Sequence, residues 1–256
     1  MTDIIGLLPC GGKATRLLPF KYPKQLLPIA FTFPDKMGNS KPILVAEYSL
    51  RAMRKAGIRR CMITINANRL EILKYFENGQ IFDMELAYLY ESIPVSLPYA
   101  IDLAFEWTNK SIVCLAWPDT IFEPFNAVQD LCNELNNTTA DIMLGVFPNH
   151  DKNQSYPVYY DKDNNVYKVM NKPRYPKKNN TCGLAAWRPS FTQFLHKHTL
   201  PSNRNSEQQI MELFDQAMAE GLKVKALAFE DGSYTDLGNP SGIASLILRK
   251  NEIEID

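Results

Sequence analysis

Short β-branched runs alternate with longer amphipathic stretches through the first half of this 256-residue chain, and that alternation restricts its fold more than any other feature. Strands that return after a helix pair in parallel, so the pattern predicts βαβ units in an α/β protein. Predicted strands cover 4–9, 61–65, 84–90, 112–117 and 141–147, with helices over 43–56, 70–76, 99–107 and 125–135. Gly57 is a natural stop for the first helix. Beyond 147 the pattern changes. Residues 158–160 and 166–170 read as a β-hairpin, whose turn 161–165 carries Asp163, Asn164 and Asn165 for left-handed backbone. A strand at 184–187, helices at 191–196 and 208–220, a strand at 223–229 and a last helix at 242–250 follow. The expected architecture is three-layer and Rossmann-like, a mixed, mostly parallel sheet with the hairpin inserted. One domain is expected over 1–256, in two halves, 1–125 and 126–256.

Lys+Arg and Asp+Glu balance at 28 each, so no global field favours nucleic acid or an anionic membrane. A phosphate site would have to be built locally. No apolar run approaches the roughly 20 residues of a membrane span, and no basic region precedes an apolar one at the N-terminus. The expectation is a cytoplasmic protein without nucleic-acid or membrane partners. Five scattered cysteines form no CxxC pair, and His196 and His198 stand too close in sequence to share a helix face, so no zinc site is expected.

The most informative segment follows the first strand: Pro9-Cys10-Gly11-Gly12-Lys13-Ala14-Thr15-Arg16, then Tyr22-Pro23-Lys24-Gln25-Leu26-Leu27-Pro28. Paired glycines after a buried strand let the backbone approach a ligand and turn its amides toward phosphate oxygens. Arg16 and Lys24 add fixed positive charge. A tight turn with two surface cations is the plainer alternative. The spacing fits neither GxxxxGK[ST] nor GxGxxG.

This segment resembles the sugar nucleotidyltransferase signature, Gly-Gly-x-Gly-Thr-Arg-Leu followed by Pro-Lys-x-Leu-Leu-Pro-Ile, as found in glucose-1-phosphate thymidylyltransferases. Four further stretches match in order. Pro118-Asp119-Thr120-Ile121-Phe122 is similar to Gly-Asp-x-x-Phe and Asn171-Lys172-Pro173 to Glu-Lys-Pro. Thr181-Cys182-Gly183-Leu184 resembles Ala-x-x-Gly-Ile, and Tyr234-Thr235-Asp236-Leu237-Gly238-Asn239-Pro240 resembles Trp-x-Asp-Thr-Gly-Thr-Pro. Ala14, Pro118 and Asn171 depart from the family residues at their positions.

The resemblance implies transfer of a nucleotidyl group from a nucleoside triphosphate to a sugar 1-phosphate, with release of pyrophosphate. Residues 1–125 would then mainly bind nucleotide and 126–256 mainly sugar phosphate. It also implies Mg²⁺, held by Asp119 and Asp236, because a hard cation prefers carboxylate oxygens. Arg16 would neutralise the β,γ-phosphates, Lys24 the α-phosphate, and Lys172 the phosphate of the incoming sugar. Pro9, Gly11, Gly12, Lys13, Ala14 and Thr15 would line the nucleotide, with Glu91, Pro94, Leu97 and Trp117 around its base. Glu91 stands where the family has Gln, and a carboxylate only accepts hydrogen bonds, which suits an amino-bearing base such as cytosine unless backbone groups do the reading. Otherwise dTTP or UTP is favoured. Asn171, Cys182 and Gly183 would meet the sugar. Members of the family are often homo-oligomers. The same fold could instead serve as a non-catalytic nucleotide-sugar-binding subunit, or act on a non-sugar phosphorylated alcohol.

Overall fold

A computed structural model describes residues 3–12, 22–32, 38–149, 155–199 and 209–248. A seven-stranded sheet runs through it in the order β12-β8-β11-β6-β1-β4-β5. These strands are β1 (Ile4–Pro9), β4 (Arg60–Ile65), β5 (Glu85–Tyr90), β6 (Ile112–Ala116), β8 (Ile142–Pro148), β11 (Asn180–Trp187) and β12 (Val224–Ala228). Neighbours pair in parallel except at β11, which runs antiparallel to both β6 and β8. The mixed, mostly parallel sheet expected from the alternation is therefore what forms.

Helices cover both faces, which is why the central strands read as unbroken apolar runs. Along β6, Ile112, Cys114 and Ala116 join one core cluster, while Val113 and Leu115 join the other. The first cluster lies under α1 (Val45–Lys55), α2 (Leu70–Phe76) and α5 (Ala127–Asn137). The second lies under α3 (Leu97–Asp102), α6 (Pro189–Thr199) and α7 (Ile210–Ala219). Arg188, at the end of β11, ties the C-terminal end of α5 to the sheet. Its guanidinium donates to the carbonyls of Leu135, Thr138 and Ala140 at 2.8–3.0 Å, satisfying carbonyls that have no helical partner.

Local boundaries differ from the sequence reading at several elements: β11 starts four residues earlier than predicted and α6 is longer at both ends, and two further differences have local causes. The helix predicted from 43 begins at Val45, because Pro42–Leu44 stays extended as β3 and pairs antiparallel with β2 (Pro28–Phe31). Gly57, at φ +84°, ends that helix as expected. The helix predicted over 99–107 starts earlier, where Ser96 accepts the Tyr99 N–H, and divides into α3 and α4 (Phe105–Thr108). The division falls where the Ala104 and Trp107 amides bond three residues back, so a tighter turn interrupts the helix. The hairpin forms from β9 (Val158–Tyr160) and β10 (Val166–Val169), with Asn164 at φ +62° in its turn. Asp161 Oδ1 accepts both the Asp163 and Asn165 amides, which fixes that turn.

Two short strands escape the pattern altogether. β7 (Thr120–Glu123) leaves the end of β6 and pairs antiparallel with β13 (Ser233–Asp236), more than a hundred residues away. Neither is long enough to show periodicity, and Ser233–Asp236 is largely polar.

Candidate active site

The β7–β13 ribbon sets the centre of the site. Asp236 lies opposite Thr120, and the Leu237 amide donates to the Asp119 carbonyl at 2.8 Å, so the two aspartates stand side by side across the ribbon. Gly238 shows how closely their side chains converge. A Cβ built on it would lie 2.7 Å from Asp119 Oδ2, 2.7 Å from Asp236 Oδ1 and 2.7 Å from Lys24 Nζ. Three charged atoms therefore close on the Gly238 α-carbon, where any side chain would collide with them. The Gly238 amide holds Asp236 Oδ1 at 2.7 Å. Asn239 accepts the Gly242 amide at the start of α8 (Pro240–Leu248), so the loop carrying Asp236 is anchored on both sides.

Lys24 enters from the loop after β1, in a single 3₁₀ turn (Lys24–Leu26) that follows Pro23. Its ammonium pairs with Asp119 Oδ2, and both side chains are nearly buried, at 12% and 9% exposed. Hard carboxylate oxygens facing one point suit Mg²⁺, which usually takes one or two carboxylates and completes its shell with water and substrate phosphate. Among the described residues no group of three or more His, Cys, Asp and Glu could hold a metal by itself. Any divalent ion here would thus depend on a phosphate ligand as well.

The glycine pair lies at the root of the same loop. The Cys10 amide still bonds Thr64 of β4, after which the chain departs. The Gly11 carbonyl accepts Asn66 Nδ2 at 2.6 Å, and the Gly12 carbonyl accepts the Arg69 guanidinium at 2.8 Å. Sequence reasoning missed both residues. Asn66 at a strand end is an ordinary capping residue, and it does accept the Asn68 amide; nothing in the pattern marked Arg69. Lys13, Ala14, Thr15 and Arg16 lie outside the described residues.

Around the expected base site the structure fits one of the two alternatives left open for Glu91. Glu91 does not present its carboxylate outward: the residue is 3% exposed, Oε1 accepts the Val95 amide at 3.1 Å, and Oε2 lies 2.8 Å from where a Gly11 Cβ would be. It braces its own loop against the glycine turn. Pro94, Leu97 and Trp117 are half-buried, the last two against the second core cluster, while Pro9 is half-buried at the end of β1.

On the acceptor side, Lys172 has φ +40° and holds its ammonium 5.4 Å from the centre of the Tyr156 ring. Asn171 donates to Glu212 Oε1 of α7 at 3.4 Å. The Cys182 side chain is wholly buried, and burial pushes its thiol up to about 12. A Cβ on Gly183 would come within 2.7 Å of both the Phe147 and Tyr234 rings, so the absence of a side chain there makes room for aromatic packing. Tyr234, two residues before Asp236, is partly buried against the first core cluster, and desolvation raises its phenol well above the usual value.

A doubly covered α/β sheet whose acidic pair and lysine gather at the strand ends beside a glycine turn defines a nucleotide-handling fold of the Rossmann-like class. The chain belongs to the nucleotidyl transferase family, whose model matches residues 5–251. It is 25% identical over 238 residues to a bifunctional sugar-1-phosphate nucleotidylyltransferase/acetyltransferase of Sulfurisphaera tokodaii, covering 91% of this chain and 52% of that protein. A glucose-1-phosphate thymidylyltransferase of Streptomyces griseus is 25% identical over 259 residues, covering 98% of this chain and 68% of that protein. The chain thus spans about half the length of the first relative and two thirds of the second. A Bacillus anthracis structure solved with a sucrose, provisionally named a glucose-1-phosphate thymidylyltransferase, matches with a TM-score of 0.84 at 16% identity. That likeness covers 99% of this chain and 98% of the other, and it is one of fold. The sugar nucleotidyltransferase family expected from the five motifs is borne out. No helix among the described residues is long and apolar enough to cross a membrane.

Proposed function

We propose that this chain transfers a nucleotidyl group from a nucleoside triphosphate to a sugar 1-phosphate, in a Mg²⁺-dependent reaction that releases pyrophosphate. The observation that carries this reading is the convergence of Asp119 Oδ2, Asp236 Oδ1 and Lys24 Nζ beside Gly238. In the reaction an oxygen of the sugar phosphate attacks the α-phosphorus, a new P–O bond forms, and the bond to the β-phosphate breaks with its electron pair leaving on pyrophosphate. Such chemistry needs positioning and charge neutralisation more than covalent help from the protein. Mg²⁺ would supply positive charge on the phosphate oxygens, held by Asp119 and Asp236. Lys24, which shares Asp119 with that site, would turn its ammonium to the α-phosphate as charge redistributes there. Lys172, steadied over the Tyr156 ring, would hold the acceptor phosphate. Arg16 is proposed for the β,γ-phosphates on the strength of its motif.

Because the Glu91 carboxylate is engaged within its own loop, backbone groups of residues 92–97 would read the base, which keeps dTTP or UTP ahead of CTP. The Lys24–Asp119 ion pair favours one second reading. It satisfies the carboxylate without a metal, as a non-catalytic nucleotide-sugar-binding subunit would require. Pyrophosphate release measured for all nucleoside triphosphates against a set of sugar 1-phosphates, and against phosphorylated polyols, separates these. Mg²⁺-dependent turnover abolished by Asp119→Ala supports transfer. Nucleotide binding without turnover for any pair overturns it.

A further inference from the structure

Arg69 is a buried cation that the chemistry above does not use. It is 5% exposed, and its guanidinium donates to two backbone carbonyls, those of Asn68 and Gly12, while Nε has no hydrogen-bond partner. Among the described residues it forms no ion pair. A buried charge with carbonyl contacts alone is costly, and a protein keeps one where an opposite charge completes it.

Its position says where that charge would come from. Cys10, at the root of the glycine turn, lies within electrostatic reach of Asp119 and Lys24 as well as Arg69. Arg69, from the turn after β4, and the Lys24–Asp119 pair therefore both border the root of the glycine turn. Asn66 pulls the Gly11 carbonyl toward β4, and a planar trans peptide then points the Gly12 amide the opposite way. Gly12 is exposed, and no described residue lies within 4 Å of where its Cβ would be, so among the described residues nothing fills that face of the turn. An arginine on a carbonyl polarises the peptide it binds and adds net positive charge behind it.

We infer that Arg69 is a positioning residue for the triphosphate, fixing the Gly11–Gly12 turn from behind and supplying the buried charge that phosphate completes. The inference rests on the nucleotidyl-transfer reading for its ligand, and its test is made independent of turnover. Inorganic tripolyphosphate, which has phosphates but no base, is titrated by calorimetry against wild type, Arg69→Gln and Arg69→Lys, with Mg²⁺ present. Gln keeps a donor for the Gly12 carbonyl and removes the charge; Lys keeps the charge. Arg69→Gln should bind on the order of tenfold more weakly, with a shallower dependence on salt, and Arg69→Lys should stay within about threefold of wild type. In turnover, the KM for nucleoside triphosphate should rise in Arg69→Gln while the KM for sugar 1-phosphate stays put. Melting curves without ligand establish that each variant is folded. If Arg69→Gln does not fold, the comparison of Arg69→Lys with Asn66→Ala, which frees the turn but keeps the charge, carries the test: both should retain the wild-type salt dependence. Tripolyphosphate affinity within twofold of wild type in Arg69→Gln, or a salt dependence altered in the charge-retaining variants, overturns the inference. A wild type that binds tripolyphosphate through Arg69 yet turns over no substrate pair overturns nucleotidyl transfer and leaves this role standing.

Discussion

Gly238→Ala adds one methyl group at the point where Asp119, Asp236 and Lys24 meet. Gly238 does not lie at positive φ, so alanine suits its backbone and the perturbation is steric. Carbon and oxygen pack at about 3.3 Å or more, whereas the built Cβ lies 2.7 Å from each of the three charged atoms. Each must therefore retreat by about 0.6 Å, or the loop must move by a similar amount. A misplacement of about 1 Å at a reacting centre can cost on the order of a hundredfold in rate. Scaled to this shift, kcat/KM should fall roughly 15-fold, or about 1.6 kcal/mol of transition-state stabilisation. Overpacking costs about 1–3 kcal/mol, but alanine restricts the unfolded chain and returns about 0.4–1 kcal/mol. A net loss of up to about 2.6 kcal/mol corresponds to a Tm drop below about 10 °C. The assay is pyrophosphate release at saturating Mg²⁺, with Tm measured on the same preparations. A Gly238→Ala variant within threefold of wild type would show that the reaction does not depend on the three charged groups around Gly238.

Four further outcomes are expected. Gly183→Ala should destabilise the protein by about 1–3 kcal/mol in urea unfolding, because its Cβ enters the Phe147 and Tyr234 rings; an unchanged midpoint would contradict that packing. Arg188→Met should cost about 2–3 kcal/mol by the same measurement, since three carbonyls at the end of α5 lose a charged donor, and a loss below about 0.5 kcal/mol would contradict the tie. All five cysteines are buried, so a thiol reagent should label none in the native protein and five after denaturation. Burial raises Cys10, Cys61 and Cys182, the last to about 12, and the hydrogen bond with Cys132 followed by burial raises Cys114, so folded thiols hold protons that unfolded ones release near pH 9. Stability from this source is complete below pH 9 and declines as pH rises toward 12; a denaturation midpoint unchanged between pH 8 and pH 10.5 would contradict it.

Much of the sheet is legible in the sequence because its central strands are buried on both faces and stand out as apolar runs such as Ile4–Pro9 and Ile112–Ala116. The hairpin turn is legible for another reason: Asp161 and Asn164 carry their own local chemistry. The ribbon that unites the two aspartates is not. β7 and β13 are four residues each, and their pairing is a tertiary event with no local signature. Motif order named Asp119 and Asp236, but only the fold could bring them side by side. Glu91 and Gly183 mark the opposite limit. Their motifs suggested ligands, and the sequence could not show the neighbours the fold gives them, the Val95 amide in one case and two aromatic rings in the other. Asn66 and Arg69 carried no signal because hydrogen bonds to the carbonyls of Gly11 and Gly12 depend on where β4 lies beside β1.

The paired aspartates are tested most directly by counting bound metal. Mn²⁺ is titrated by electron paramagnetic resonance against wild type, Asp119→Asn and Asp236→Asn, each with a saturating, non-hydrolysable nucleoside triphosphate. Wild type should remove Mn²⁺ from the free signal beyond what nucleotide alone removes, and each substitution should weaken that uptake by at least about tenfold. Equal uptake by wild type and Asp236→Asn would contradict a shared divalent site between Asp119 and Asp236.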